Sequence, residues 1–421
     1  MILHLDLDCF FAAAHRIGTD KYDNIPIAVG GRSNLGIFDK KMSKRELSSI
    51  DGAFTSAILS GHSGKSFEEY FLDKEGKVRG IVITSSYEAR AYGVKTAMPL
   101  AEALRWCPNL TILLPNYPLY HELSHKLKLL LEKATPSIEQ FSIDEFFCDV
   151  TGWIEDDGVV DFAKKLKKQI KDELGLPISI GIAKTKWIAK IATNKAKPYG
   201  VKLVRPEEVE SFIKDMPIQA FPGIGKSYAG KLLERGITTL GDIKSRKELF
   251  YSWGKMGKQL YNRINGTDHE KISLAQSRKS ISLARTFDPL RDRDEARRRI
   301  TILCRHLSFL AYKGEHHPLT FSLHIKYQYG EVQKDHVNNN RPFNEQHLKH
   351  EMVTMFDQID TRKAQAISQL TLTLSNFKET KVMTMDLLNY EEDTQQAKLT
   401  ASMQKIRDKF GIDIIKSGGE L

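Results

Sequence analysis

Two apolar runs in this chain carry carboxylates in their midst, and that conflict constrains the fold more than any other feature. MILHLDLDCFF sets Asp6 and Asp8 among Ile2, Leu3, Leu5, Leu7, Phe10 and Phe11, and QFSIDEFFCDV sets Asp144 and Glu145 among Ile143, Phe146 and Phe147. Both runs read as buried strands, where a carboxylate is costly unless paired or metal-bound. Asp6 and Asp8 share a face of a regular strand, whereas Asp144 and Glu145 point to opposite faces. For these groups to gather, the backbone has to bend near Asp144, as at a hairpin corner. Such a gathering suits two-metal phosphoryl transfer, which needs carboxylates around cations about 4 Å apart, and Mg²⁺ prefers oxygen ligands. Taken singly, each carboxylate reads more readily as a strand end facing solvent; the apolar residues around both pairs are what turn the reading toward a site.

Periodicity supplies the frame. Strands are expected at 2–9, 25–31 and 177–183, with a strand or hairpin at 138–150. Helices are expected from Phe10, over 119–133, from about Lys186, and over 161–174 with Phe162, Leu166, Ile170 and Leu174 near one face. Mixed elements without strict alternation indicate an α+β domain. Residues 207–268 hold helical pieces broken by GIG and RGI turns, and 269–279 read as a polar linker. Beyond them, strand patterns near Ile281, at 319–329 and at 370–374 flank a helix at 294–312, a second α+β domain. Residues 32–79 are polar and without period.

Charge points to a polyanionic partner. Lys plus Arg number 63 against 53 acids, a net charge of +10. Residues 278–313 hold eight Arg and two Lys against four acids, a pattern that suits the backbone of duplex DNA. No run of about 18 apolar residues is present, so no membrane-spanning helix is expected. The N-terminus lacks a basic leader, and Cys9, Cys107, Cys148 and Cys304 form no CxxC pair. A cytoplasmic protein without zinc or disulfides is therefore expected.

Two further segments carry binding chemistry. In TSSYEARAYGVKTAMPL, Tyr87 and Arg90 share a helical face, and Ser85 with Glu88 fits a capping box that opens the helix. A helix start with Arg and Tyr nearby suits a triphosphate. In FPGIGKSYAGKLLERGI, Gly223 and Gly225 let the backbone approach a phosphate beside Lys226.

On these residues the chain resembles the Y-family DNA polymerases, most of all their bacterial polymerase IV branch. DLDCFFAAAH resembles the family's opening motif, SIDEFFCDVT its second acidic motif, YEAR its fingers motif and FPGIGK its helix-hairpin-helix. The resemblance implies a right-handed polymerase: palm 1–10 and 119–204, fingers 11–118, thumb 205–268, linker 269–279, little finger 280–380 and a tail 381–421. It implies that Asp6, Asp144, Glu145 and the Leu7 carbonyl hold two Mg²⁺, with Asp8 supporting them. It implies that Phe10, Phe11, Tyr87, Arg90 and Lys197 meet the nucleotide, with Phe11 as the steric gate against a 2′-hydroxyl. Gly223, Gly225, Lys226, Arg278, Lys279 and Arg285 are the implied DNA contacts. The implied activity is primer extension with dNTPs on template DNA, at low fidelity without proofreading, as lesion bypass, by a cytoplasmic bacterial monomer that binds no membrane. Met385, Leu387 and Leu388 occupy the apolar positions of a sliding-clamp peptide, with Thr384 where Gln is usual. The family joins VGG to the strand before YEAR by a shorter loop, so about 32–79 is an insertion, expected to lie with the fingers. Two other enzyme readings share parts of this pattern: the catalytic subunit of a polymerase V complex, and a two-metal nuclease with a helix-hairpin-helix. A DNA-binding scaffold with a dead polymerase fold is the non-enzymatic alternative.

Overall fold

The computed structural model describes residues 1–33, 35–38, 66–73, 75–273, 278–378 and 390–420. These divide into two units. Residues 1–30 and 72–273 form the first; residues 31–33, 35–38, 66–71 and 278–420 form the second.

The first unit is built on its opening strand. Strands β1 (Ile2–Leu7), β2 (Ile27–Gly31), β3 (Ile81–Ser85), β4 (Thr111–Leu113), β5 (Ser137–Gln140), β6 (Glu145–Asp149), β7 (Ile178–Ala183) and β8 (Val201–Leu203) make two sheets. The larger runs β5-β6-β1-β7-β8, and the smaller runs β3-β2-β4. Every residue of β1 is buried, and the strand is antiparallel to both neighbours. Leu3, Leu5 and Leu7 join a core with the helices Tyr117–Ala134 and Val159–Leu174. In the second of these helices Val159, Ala163, Leu166 and Ile170 are buried, while Phe162 and Leu174 are only partly so.

The other face of the sheet takes the helix Lys186–Ala196, which packs on β7 and β1. Gly181 permits that approach. A Cβ there would stand 2.1 Å from the Ala189 carbonyl oxygen and 2.3 Å from the Thr193 nitrogen. Opposite Gly181 in register is His4, whose Nδ1 lies 2.8 Å from Thr193 Oγ1. Short helices between residues 206 and 264 follow, with Phe221, Ile224, Leu232, Ile237 and Phe250 in one core. Within the first residues of the expected linker, Glu270 accepts from Trp187 and Arg263, and the Ser273 amide donates to Glu139.

The second unit contains β9 (Ser280–Leu290), β10 (His317–Tyr327), β11 (Val332–Asn338) and β12 (Ile367–Lys378), ordered β11-β10-β12-β9 and antiparallel throughout. Phe321, Leu323, Ile325 and Tyr327 point into a core shared with the helices Arg293–Lys313 and Glu345–Ile359. Leu319 is half exposed and Tyr329 lies beyond the strand end, so the alternation is narrower than 319–329.

Within the basic run at 278–313, the arginines of the helix are engaged by acids of the same unit, which leaves fewer of them for a phosphate-binding surface than expected. Arg293 pairs with Asp360, Arg297 with Asp294 and Asp357, and Arg298 and Arg299 with Glu295. Arg305 is buried against Asp413 and Glu420. Asp294 and Glu295 belong to the same helix, whereas Asp357, Asp360, Asp413 and Glu420 arrive from elsewhere in the chain, so the helix's arginines are paired within the unit. A terminal helix, Tyr390–Phe410, docks through similar pairs, Asp393 on Arg341 and Arg407 on Glu345.

The insertion also departs from expectation. Of its described parts, residues 32–33, 35–38 and 66–71 group with the second unit, and residues 72–73 and 75–79 remain with the first. Ile37 and Phe38 enter that unit's core, the Phe38 ring lies 6.3 Å from Phe287, and Arg299 stands over both rings. The Arg298 guanidinium donates to the Phe38 carbonyl and the Thr286 amide to Ser33 Oγ. Among the described residues, no helix is long and apolar enough to cross a membrane.

Two substitutions test this packing. Gly181→Ala should destabilise the first unit by about 3 kcal/mol or more, since backbone has to move; a denaturation midpoint equal to that of the parent would contradict the close approach. Phe38→Ala should cost the second unit about 3 kcal/mol. Hydrogen exchange is the readout: faster exchange along β9 and the 293–313 helix is expected, and unchanged protection there would mean that the insertion does not dock.

Candidate active site

The carboxylates converge at one end of the larger sheet. Asp6, near the end of β1, is directly opposite Glu145, the first residue of β6. Asp144 precedes it in the turn between β5 and β6, which closes through amides of Phe141 and Ser142 on the Glu145 carbonyl. This is the expected bend, and it brings Asp144 beside β1: the Leu7 amide donates to the Asp144 carbonyl at 3.1 Å. Ser142 Oγ hydrogen-bonds to the Asp144 carboxylate and accepts from the Glu145 amide.

Directly opposed like charges in a sheet repel. Two lysines answer them. Lys197 Nζ lies 2.7 Å from Asp6, and Lys190 Nζ pairs with Glu145. Lys190 lies within the 186–196 helix and Lys197 caps its end. Burial drives the Asp6 carboxyl up to about 7; Lys197 pulls it down, while Glu145 and Asp144 push it further up. Asp144 is raised by the same burial and by Glu145. His4, fully buried beneath the array, is held neutral by desolvation and by the nearby lysines. Its Nε2 stands 3.9 Å from Glu145 and has no hydrogen-bond partner among the described residues.

As these side chains stand, no three metal-type ligands among the described residues are close enough together to hold an ion. The donor set nevertheless suits a hard cation: three carboxylates, crowded and partly desolvated, with positive charge supplied by Lys190 and Lys197.

The aromatic pair after β1 splits. Phe10 is 3% exposed and its ring belongs to the core, so it offers a ligand only its backbone. Phe11 is half-buried and stacked on Tyr120, with centroids 4.0 Å apart and planes within 7°. Tyr120 is in turn held by His15 at 2.8 Å. Sequence reading missed Tyr120, because a contact 109 residues away leaves no local signature.

The helix Tyr87–Ala91 carries Tyr87 and Arg90 together, with the Arg90 guanidinium 5.1 Å from the Tyr87 ring centroid. Its cap is Ser86, whose Oγ accepts from the Ala89 amide. The expected cap, Ser85, is instead the buried last residue of β3 and donates to the Val94 carbonyl. The Tyr87 hydroxyl donates to Asp8 at 2.8 Å.

Further along the first unit, Gly223 has φ +97°, Gly225 precedes the helix Lys226–Leu233, and both glycines and Lys226 are exposed. In the second unit, Arg285 follows the inward parity of Ile281, Leu283 and Phe287 and donates to the Ala284 carbonyl. Its position on the covered face argues against the DNA contact expected of it. Arg278 and Lys279 lie just before β9. Met385, Leu387 and Leu388 lie outside the described residues.

Comparison with known proteins agrees with this arrangement. The impB/mucB/samB family matches residues 5–194, its C-terminal domain residues 278–387, and the IMS family HHH motif residues 206–237. A DNA polymerase IV of Bacillus anthracis is 28% identical over all of this chain and 93% of its own length. One of Pasteurella multocida is 30% identical over 78% of this chain and 81% of its own. Among solved structures, a Y-family DNA polymerase chimera of Dbh and Dpo4 superposes with a TM-score of 0.68 at 22% identity, covering 89% of this chain and 98% of its own. The insertion ternary complex of Dbh DNA polymerase gives 0.56 at 23% identity, with the same coverage. That likeness extends to the fold: mixed helix and sheet, a helix-hairpin-helix and a C-terminal sheet unit. With its acidic motifs meeting at one sheet end, the chain belongs to the impB/mucB/samB family, the Y-family DNA polymerases, and is a DNA-directed DNA polymerase of the translesion class.

Proposed function

We propose that the chain extends a primer 3′-hydroxyl along template DNA with deoxynucleotides, using two Mg²⁺ and no proofreading, and that it copies past damaged bases at low fidelity. The observation that carries this reading is the meeting of Asp6, Asp144 and Glu145 at the end of a buried sheet, beside the half-buried Phe11. Asp6, Asp144, Glu145 and the Leu7 carbonyl would hold the cations. Bound there, divalent cations supply Lewis-acid stabilisation of the attacking oxygen and of the triphosphate.

The remaining roles belong to side chains. Lys197 and Arg90 bind and orient the triphosphate, with Tyr87 supporting Arg90. Phe11, backed by Tyr120, presents a ring edge that excludes a 2′-hydroxyl. In this reading residues 1–10 and 119–204 are the palm, 11–30 and 72–118 the fingers, 205–268 the thumb and 280–378 the little finger. The exposed turn at Gly223, Gly225 and Lys226 donates backbone N–H groups to a DNA phosphate. The uncovered face of the second unit's sheet, with Ser282, Thr371, His324, Lys326 and Lys334, gives it a polar and basic surface for the duplex backbone. Arg278 and Lys279 extend that surface. Contact with a sliding clamp through Met385, Leu387 and Leu388 completes the proposed partners.

The chemistry is tested by Asp144→Ala and Glu145→Ala. Each should reduce primer extension by about a thousandfold or more while leaving DNA binding largely intact. Near-normal turnover in either would overturn the site. Phe11→Ala should raise ribonucleotide incorporation relative to deoxynucleotide incorporation on the same primer; an unchanged ratio would reduce Phe11 to a core residue. DNA affinity should fall steeply between about 50 and 200 mM salt, as phosphate neutralisation requires, and a flat profile would exclude the proposed basic surfaces.

A further inference from the structure

The ring that supports Phe11 lies closer to it than two aromatic side chains choose for themselves. Such pairs favour offset or edge-on contacts with centroids about 4.5–7 Å apart. Phe11 and Tyr120 instead lie face to face at 4.0 Å, with planes within 7°. A parallel stack has little direction of its own within the ring plane, so neighbouring groups have to fix it. Tyr117 meets both rings edge-on, 6.3 Å from Phe11 and 5.9 Å from Tyr120. The directional contact is at the far end of the Tyr120 ring, where the hydroxyl lies 2.8 Å from His15 Nε2.

Local structure puts His15 in place for this. Phe11 lies in the helix Phe10–Ala14 and His15 caps its end, four residues on. The two side chains therefore leave one side of the same turn. Phe11 covers the face of the Tyr120 ring, and His15 takes its hydroxyl. Tyr120 is fully buried, and burial pushes its pKa upward, so the hydroxyl keeps its proton. Burial lowers the His15 pKa, and the Leu114 carbonyl partly opposes that. A carbonyl only accepts, so the neutral imidazole donates to Leu114 and accepts from Tyr120. One side chain thus joins the end of the Phe11 helix, the residue after β4 and the first turn of the helix Tyr117–Ala134.

We propose that His15 is a positioning residue for sugar selection: by anchoring the Tyr120 hydroxyl it fixes the platform that holds the Phe11 ring against a 2′-hydroxyl. The proposal rests on the reading of Phe11 as the gate. In it, His15 acts through the two rings and not on the nucleotide.

The test is a double-mutant cycle on the full chain, read as the ratio of dNTP to rNTP incorporation efficiency on one primer-template. His15→Ala and Tyr120→Phe remove the same hydrogen bond from its two ends, and the second keeps the stacking ring. Each should lower the ratio about five- to tenfold. The double variant should be no lower than the lower single one. His15→Gln, which keeps a hydrogen-bonding group near the position of Nε2, should recover most of the ratio. Effects that multiply would mean that the two residues act separately and would overturn the proposal. So would an unchanged ratio with a lowered Tm, which marks a role in folding alone. Should His15→Ala fail to fold, Tyr120→Phe, which loses a single oxygen, decides by the same ratio. Phe11→Ala is the control for the underlying reading. It should lower the ratio by itself, and His15→Ala added to it should lower it no further. An unchanged ratio in Phe11→Ala removes the gate, whatever the cycle gives.

Discussion

Three carboxylates in one half-buried corner are the interaction on which the rest of the first unit depends. Cross-strand pairing puts Asp6 against Glu145, and the β5–β6 turn adds Asp144. Left alone, such an array opposes folding, because each charge is desolvated and faces others of the same sign. Cation is brought to it by geometry. Lys190 and Lys197 are seven residues apart, about two helical turns, and so can serve neighbouring carboxylates from one helix end. That helix lies flat on the sheet only because Gly181 has no side chain. A glycine, two lysines and a buried strand are thus parts of one arrangement, which holds negative charge at the proposed cation site.

The second unit handles charge in the opposite way. Its arginines and acids satisfy one another within the fold, down to the buried Arg305 between Asp413 and Glu420. Breaking such a pair would leave an uncompensated buried charge. The open sheet face, lined by Ser, Thr, His and Lys, is left with only a modest excess of positive charge. The insertion contributes to this unit through Phe38, held between Phe287 and Arg299, and its docking gives a structural reason for apolar residues in an otherwise polar stretch.

Much of this was legible in the sequence, and the failures have physical causes. Period-two and helical patterns located the strands and helices that flank the site, because burial on one face dictates those periods. The bend at Asp144 followed from requiring two adjacent strand residues to reach one place. The basic run at 278–313 was misleading because net charge along a segment says nothing about acids that arrive from 60 or more residues away, as Asp360 and Glu420 do. Arg285 misled for a related reason: its alternation with Leu283 and Phe287 marked the inward face, and its charge was weighed more heavily than its parity. Ser85 and Ser86 are adjacent and chemically equivalent as caps, so only the end of β3 decides between them. Tyr120 and Asp8 acquire their meaning from contacts across the fold.

The central claim is that the acidic array is kept for chemistry at the expense of stability. Asp6 carries the clearest sign of this. A carboxyl raised to about 7 in the fold binds its proton more tightly than in the unfolded chain, so stability falls as pH rises from the ordinary carboxylate range through about 7. At pH 8 the cost is fully present, and a neutral isostere removes it. The decisive measurement is thermal unfolding of Asp6→Asn at pH 8 beside single-nucleotide incorporation by the same preparation. A raised Tm with incorporation lost is the predicted result. A lowered Tm with incorporation retained would contradict the account.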